Sequence, residues 1–364
     1  MRHSHHRRHP TVLIRTAKQL RAVTEAIFTA AGAPTETAVE MGEALVGANL
    51  AGHDSHGVIR IPAYIRAIQE GALDPAARPS IVQETPTSAL VDGRWGFGHV
   101  SARYGTNVAI RKARQSKTAI LSVVRCNHIG RLGQWASQAA EQDVIAMVVV
   151  GGGGGTPGRL GGGIAAPFGG AERALSTNPI AIGFPGGKTP DMLVDFATTV
   201  VAEGKVQVAR AKGAELPPGC IVDKHGRPSV NPNDLYDGGA LLPFGGHKGY
   251  ALAMFVEMLC GAFTPGDAHN GEGRRGGAVI WAVDALTFRD AASYESNADF
   301  VLQRIKRNRP AQGFSEVLIP GEPEARSAAA RLAEGVQVAE ATWEQIVEAG
   351  KGFKLDVEAL SRTA

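Results

Sequence analysis

Four short stretches of the chain combine titratable, cationic and glycine residues at spacings that suit chemistry on a small acid. The first is Ser55-His56-Gly57 with Arg60. An imidazole titrates near neutrality, a neighbouring hydroxyl can hydrogen-bond a substrate oxygen, and a guanidinium four residues on can hold a carboxylate through two parallel bonds. Together they suit a hydroxy or keto acid. The alternative is a capping serine beside a surface histidine and arginine.

The second is Asn127-His128-Ile129-Gly130-Arg131-Leu132-Gly133, where His128 offers a proton-transfer group and the glycines let backbone approach a ligand. A helix-entry loop with one satisfied histidine explains it equally well. The third pairs Ser176-Thr177-Asn178-Pro179 with Asp195-Phe196-Ala197-Thr198. Asp195 can orient a histidine or favour its charged form, or it can simply cap a helix or turn. The fourth, Gly245-Gly246-His247-Lys248-Gly249-Tyr250, places a lysine where a helix opens. Lysine with free helix N–H groups makes an anion site for phosphate or carboxylate; the alternative is a solvated surface lysine.

A more familiar pattern, Gly153-x-Gly155-x-x-Gly158, follows the apolar run Val144–Val150 and matches a dinucleotide-binding fingerprint on paper. That fingerprint needs a helix after its third glycine, with N–H groups facing the pyrophosphate. Arg159-Leu160-Gly161-Gly162-Gly163 cannot propagate a helix, and Pro157 lies inside the pattern. The expectation is a flexible glycine loop and no Rossmann fold. No HExxH, GxSxG or Walker sequence supports a hydrolase or nucleotidase.

The elements that must position these groups are legible in outline. Thr16 is an N-cap candidate, with Leu20, Val23 and Ile27 at helical spacing up to Gly32. A second helix follows Pro34 and ends near Gly52, and a third begins near Pro62, so His53–Gly57 falls between helices. From residue 88 short β-rich runs alternate with helical ones: strands at Ala89–Val91, Ala119–Val124 and Val144–Val150, helices around 100–114 and 132–141. Ile180–Phe184 and Met192–Asp195 read as strands, 200–212 and Tyr250–Leu259 as helices, and Gly271–Gly277 as a mobile loop. An alanine-rich helical pattern returns from Pro320.

Composition sets the bounds. The 364 residues allow two or three domains, and 44% hydrophobic with 20% charged residues is globular usage. Glycine, at 46 residues, exceeds the usual share of about 7%. A net charge of +3 is too small to argue for nucleic acid or a membrane surface. Cys126, Cys220 and Cys260 form neither a disulfide framework nor a zinc site, and a reducing cytoplasm fits them. The start, MRHSHHRRHP, lacks the apolar stretch of a signal peptide; His3, His5, His6 and His9 read as a flexible arm rather than a metal site.

Taken in order, Gly52–Arg60, Asn127–Gly133, Thr177–Pro179, Asp195–Ala197, Pro217–Gly219, Gly246–Tyr250 and Leu318–Glu322 resemble the type-2 malate/L-lactate dehydrogenase family, which includes L-sulfolactate, ureidoglycolate and Δ1-piperideine-2-carboxylate oxidoreductases. His128–Gly133 with Pro217–Cys220 looks most like the hydroxycarboxylate dehydrogenase B branch. The resemblance implies a cytoplasmic homodimer that uses NAD or NADP, with NAD favoured, and no metal. It implies an α/β (α+β) fold whose cofactor domain, over 126–309, is not a Rossmann fold and has a largely antiparallel sheet. A helical dimerisation and substrate domain would be built from 16–125 with 310–364, after a flexible arm over 1–15.

Carried residue by residue, the resemblance makes His128 the proton donor and acceptor of one branch. Ser55, His56 and Asp195 become the catalytic serine, histidine and aspartate of the imine-reducing branch. Arg60 falls at the substrate-carboxylate position, with Thr177 beside substrate and cofactor. Ile129, Gly130, Thr177, Asn178, Pro179, Asp195, Phe196, Ala197, His247, Lys248 and Gly249 fall in segments similar to the family's cofactor contacts. One departure is Gly151–Gly155 with Gly161–Gly163, where relatives carry a more ordinary sequence. The expected reaction transfers a hydride between NAD(P) and a 2-oxo or 2-hydroxy acid such as malate, lactate or a larger hydroxycarboxylate. The alternatives are reduction of a cyclic imino acid and a catalytically silent binding protein; membrane and nucleic-acid partners are not expected.

Overall fold

Thr16 opens the first helix, Ala17–Ala30, with a reciprocal cap: its Oγ1 accepts from Gln19 N at 3.1 Å, and Gln19 Oε1 accepts from Thr16 N at 2.9 Å. Leu20, Val23, Ile27 and Phe28 recur at helical spacing and are buried, and the helix packs on Thr35–Leu50, whose Met41, Leu45 and Val46 are buried as well. The computed structural model describes residues 12–152, 163–265 and 277–363. The glycine pattern Gly153–Gly158, the histidine-rich start and the 271–276 part of the expected loop lie outside the described residues.

Among the described residues, those up to Ala77 and those from Glu322 form one compact unit, and Arg78–Gly321 a second. In the first unit the strand Val12–Arg15 pairs antiparallel with Val336–Ala339, so distant parts of the chain share one ladder. Arg15 lies over the Trp343 ring at 4.4 Å, while Trp343 Nε1 donates to Glu358 Oε1. The helix Glu322–Glu334 packs on Thr35–Leu50, and Ile61–Gln69 carries Pro62 in its first turn.

The second unit is organised by a seven-stranded sheet in the order Ser80–Thr85, Ser88–Asp92, Thr118–Val124, Gly277–Asp284, Val144–Gly151, Ile180–Phe184, Met192–Phe196. Only Ser88–Asp92 against Thr118–Val124 is parallel; every other neighbouring pair in this sheet is antiparallel. This mixed α/β arrangement agrees with the expected largely antiparallel sheet and differs from a parallel, doubly wound Rossmann sheet. Helices Gly98–Ser116 and Leu132–Ala140 pack on the sheet through buried Ala102, Ala109, Ala113, Trp135, Ala136 and Ala139 against Leu121, Val123, Val148 and Ile280. A three-stranded sheet, Ala240–Leu241, Ile221–Val222 and Pro228–Ser229, forms a smaller core with the helix Glu203–Lys212.

Candidate active site

In the first unit, Ser55, His56 and Arg60 stand together on two single-turn segments, Asp54–His56 and Val58–Arg60. Ser55 Oγ lies 3.0 Å from His56 Nδ1, and Arg60 Nε donates to Ser55 O at 2.6 Å. The loop is held from below by Asn49, whose Oδ1 accepts from Val58 N at 2.9 Å and whose Nδ2 donates to Asp54 Oδ1 at 2.7 Å. Arg331, from the helix Glu322–Glu334, binds both oxygens of Asp54 and also the Asn49 carbonyl. His53 meets Glu324 at 3.3 Å and Ser327 Oγ donates to Leu50 O at 2.9 Å. Asn49 and Arg331 carried no signal in the sequence, since an asparagine in a helix that also holds Glu36, Glu40 and Glu43, and an arginine in a helix that also holds Arg326, are ordinary.

In the second unit, His128 is exposed on the loop that leaves Thr118–Val124. Asn127 holds that loop by donating from Nδ2 to the carbonyls of Trp95 and Gly96 at 2.8 and 3.0 Å. Asp92 accepts from Arg94 N at 2.8 Å, from Arg125 Nε at 2.9 Å, and from Arg125 Nη2. Burial alone would raise the Asp92 carboxyl, but the hydrogen bonds and charges of Arg125 and Arg94 hold it below the usual carboxylate range. Arg94, Trp95 and Arg125 all have positive φ, at 50°, 57° and 47°. For residues with a Cβ this conformation costs about 1 kcal/mol or more each, so the tie to Asp92 over-determines the loops that carry His128.

Ile129 is 2% exposed, and its carbonyl accepts from Trp135 Nε1 at 2.9 Å. Gly130 has φ +73° and sits so close to His99 that a Cβ would lie 2.3 Å from the ring Nε2; glycine is required on both counts. The His99 ring, itself 2% exposed, stands edge-on to His128 at 6.0 Å and to Trp135 at 6.4 Å. Leu132–Ala140 begins without a side-chain cap from Arg131. Asp195 supplies the acceptor from the end of another strand: its Oδ2 takes the Gly133 N–H at 2.9 Å and lies 3.9 Å from Arg131 Nη1.

Phe196 follows Asp195 and turns the same strand end toward a second group. Its ring meets Phe244 edge-on at 5.5 Å. Phe244 N donates to Thr198 O at 3.0 Å, and Thr198 donates through N and Oγ1 to Thr177 O at 3.0 and 2.9 Å. Half-buried Ala197 and Pro179 lie within these segments. Asn178 is fully buried, with Nδ2 donating to Ala253 O and Glu257 Oε2, both at 2.9 Å; its side chain ties Thr177–Pro179 to the helix His247–Glu257. That helix starts after Gly245 and Gly246, at φ +55° and +62°, and Gly246 gives it no side-chain cap. Exposed Lys248 lies in its first turn, the His247 ring meets Phe168 edge-on at 6.1 Å, and buried Gly249 N donates to Phe244 O at 3.0 Å.

The second unit therefore brings together His128, Ile129, Gly130, Asp195, Phe196, Thr177, Asn178 and the His247–Gly249 turn along one run of contacts. His99, Phe244 and Arg131 join them without having been singled out for a role. The donor set at 245–249 fits a dinucleotide phosphate: a lysine, an uncapped helix start and two left-handed glycines that leave the backbone open. Among the described residues no group of three or more His, Cys, Asp or Glu could hold a metal ion.

A family model described as malate/L-lactate dehydrogenase matches residues 16–347, and the chain belongs to that family, whose members are NAD(P)-dependent 2-hydroxy acid dehydrogenases. The L-sulfolactate dehydrogenase of Methanocaldococcus jannaschii is 35% identical over 334 residues, covering 90% of this chain and 93% of that protein. Its solved structure agrees with TM-score 0.84 over 95% of this chain and 99% of that one. Hydroxycarboxylate dehydrogenase B of Escherichia coli O157:H7 is 32% identical over 356 residues, covering 94% of this chain and 95% of that protein. The structure titled Δ1-piperideine-2-carboxylate reductase from Pseudomonas syringae pv. tomato has TM-score 0.80 at 29% identity, covering 93% of this chain and 99% of that one.

Proposed function

We propose that this protein interconverts a 2-oxo acid and a 2-hydroxy acid with NAD(P) as the hydride carrier. The observation that carries the reading is the strand end at Asp195–Phe196, where one residue supports the His128 loop and the next joins the phosphate-suited turn. When bound, the nicotinamide supplies or accepts the hydride at the substrate carbon. The chain's own residues do the rest. His128, exposed on a loop held on both sides, gives a proton to the substrate oxygen during reduction and takes it back in the reverse direction. Arg60, its Nε engaged by Ser55 O, holds the substrate carboxylate through its terminal nitrogens.

Ser55 fixes the orientation of the His56 ring through the 3.0 Å contact at Nδ1, and His56 polarises the substrate carbonyl or shares the proton. Asp195 acts by fixing the 131–133 backbone. Lys248 with the His247–Gly249 turn binds cofactor phosphate, and Thr177 and Phe196 line the cofactor's path.

The experiment follows NADH and, separately, NADPH absorbance with pyruvate, oxaloacetate, 2-oxoglutarate, phenylpyruvate and a cyclic imino acid. Turnover of an open-chain acid supports the dehydrogenase, and His128→Ala should lower that turnover at least about 100-fold. Near-normal turnover by His128→Ala would remove the proton-transfer role from that residue; the same result for His56→Ala would confine His56 to binding. Faster turnover of the imino acid selects the second reading, which the likeness to the piperideine-carboxylate reductase structure supports. Cofactor binding without turnover would leave the substrate elsewhere, and absence of both would overturn the oxidoreductase reading.

The reading extends to a homodimer. Exposed Leu252, Phe255, Met258 and Phe263 along the helical segment from His247 to Phe263 support an apolar contact with a second copy. Sedimentation should give twice the 38.1 kDa chain mass. The buried free thiols of Cys126, Cys220 and Cys260 support a reducing compartment such as the cytoplasm.

A further inference from the structure

We infer that His99 is a positioning residue for proton transfer: its buried ring fixes the rotamer of His128 and the path of Ile129-Gly130. The inference rests on the reading of His128 as the proton donor. His99 lies in the first turn of Gly98–Ser116, on a different element from the His128 loop, and is 2% exposed. An imidazole is more costly to bury than a leucine of similar size, so packing volume alone does not select it.

Its surroundings do. The ring stands at 76° to the His128 ring with centroids 6.0 Å apart, and at 68° to Trp135 at 6.4 Å. Trp135 in turn donates to the Ile129 carbonyl at 2.9 Å. On its third side the ring occupies the space a Cβ at position 130 would need, 2.3 Å from Nε2. One side chain thus touches the side chain of 128, the glycine at 130, and the tryptophan that grips the carbonyl between them. His128 is exposed, and an exposed side chain samples several rotamers within nanoseconds unless something restricts it. The edge-on contact with His99 is such a restriction, and the protein supplies it from a rigid helix rather than from the loop.

The test compares His99→Ala, which removes the ring, with His99→Phe, which keeps an aromatic edge, and with His128→Ala. His99→Leu replaces the alanine variant if that one does not fold. Steady-state kinetics use the 2-oxo acid turned over fastest, with NADH or NADPH. His99→Ala should lower kcat at least about tenfold while both KM values stay within about threefold, and His99→Phe should stay within about threefold of wild type. The double variant His99→Ala/His128→Ala should be no slower than His128→Ala alone, because an orienting group has nothing left to orient. Multiplying losses, a kcat unchanged within twofold, or a loss confined to KM would each overturn the inference. A second readout needs no turnover: with ε1-13C-histidine label, the His128 signal, assigned by its absence in His128→Ala, should show a lower 13C order parameter in His99→Ala, as nanosecond rotamer averaging sets in, and keep its wild-type value in His99→Phe. If His128→Ala retains activity, the proton-donor reading fails by itself. The order parameter then decides whether His99 fixes the His128 ring: an unchanged value in His99→Ala overturns that, and a lowered one upholds the contact while leaving proton transfer to another group.

Discussion

Arg331 holds Asp54 with both terminal nitrogens, Nη1 to Oδ1 at 2.6 Å and Nη2 to Oδ2 at 3.0 Å, across 277 positions of sequence. Asp54 immediately precedes Ser55 and His56, so this pair sets the frame on which Ser55, His56 and Arg60 are mounted. The side chains are 25% and 49% exposed, so the pair itself contributes only about 0.2–1 kcal/mol to stability. Arg331→Ala should nevertheless reduce kcat/KM for the acid about tenfold, because the loop loses its register. Kinetics beside thermal unfolding check this; a lowered melting point with unchanged kcat/KM would restrict Arg331 to a structural role.

Gly130→Ala combines a left-handed φ with a clash against His99. Each of the two defects costs on the order of 1–3 kcal/mol. The variant should melt several degrees lower and lose most of its turnover, read by calorimetry and NADH consumption. A variant as active as wild type would mean that the loop can relax away from His99.

Lys248→Ala removes the cation at the helix start and should weaken NAD(P)H binding about tenfold, with kcat at saturating cofactor nearly preserved. Gly246→Ala attacks the same turn through its backbone, at φ +62° and ψ −121°, and should weaken binding as well. Fluorescence titration with each cofactor reads both, and unchanged affinity in the lysine variant would move the phosphate elsewhere.

Acid should loosen the second unit through depressed carboxylates. The Thr189 hydroxyl, with the backbone N–H groups of Thr189 and Lys188, lowers Asp299 to about 2. Asp284 is also lowered: burial opposes the shift, but the Lys117 hydrogen bond and charge outweigh it. A carboxyl depressed in the folded state contributes fully above its unfolded value, about 3.9, and loses that contribution as pH falls toward the folded value. Melting temperature should therefore drop between pH of about 4 and about 2, and Asp299→Asn with Asp284→Asn should flatten that slope. An unaltered slope would assign acid lability to other groups.

Much of this architecture is legible locally, and the missing parts share a physical cause. Thr16 with Gln19 announces the first helix, and Ile180–Phe184 reads as a strand with the bounds it has. The strand Gly277–Asp284 escaped notice although it lies near the centre of the sheet. It is buried on nearly every residue, so it lacks alternation, and its partners at 118–124 and 144–151 lie well over 100 residues earlier. Helix Ala291–Lys306 was missed for the opposite reason: of its apolar residues only Leu302 is buried, which leaves a weak stripe. At the site, glycine and histidine clusters marked 55–60, 127–133 and 245–250 because their residue types are unusual together. His99 and Arg331 are single residues in helices, and only the packing of those helices gives them meaning.

The pairing of Val12–Arg15 with Val336–Ala339, and the grip of Arg331 on Asp54, bear on how this chain is made. During synthesis the helices Ala17–Ala30, Thr35–Leu50 and Ile61–Gln69 leave the ribosome more than 250 residues before the helix that completes their unit. At about 5–20 residues per second that interval lasts on the order of 10–50 s. For that time the nascent chain carries an unfinished apolar surface while Arg78–Gly321 is free to fold as an insert between its two halves. The Asp54–His56 turn can take its final form only once Arg331 has been made, so a product stalled or truncated before that residue would be left without it.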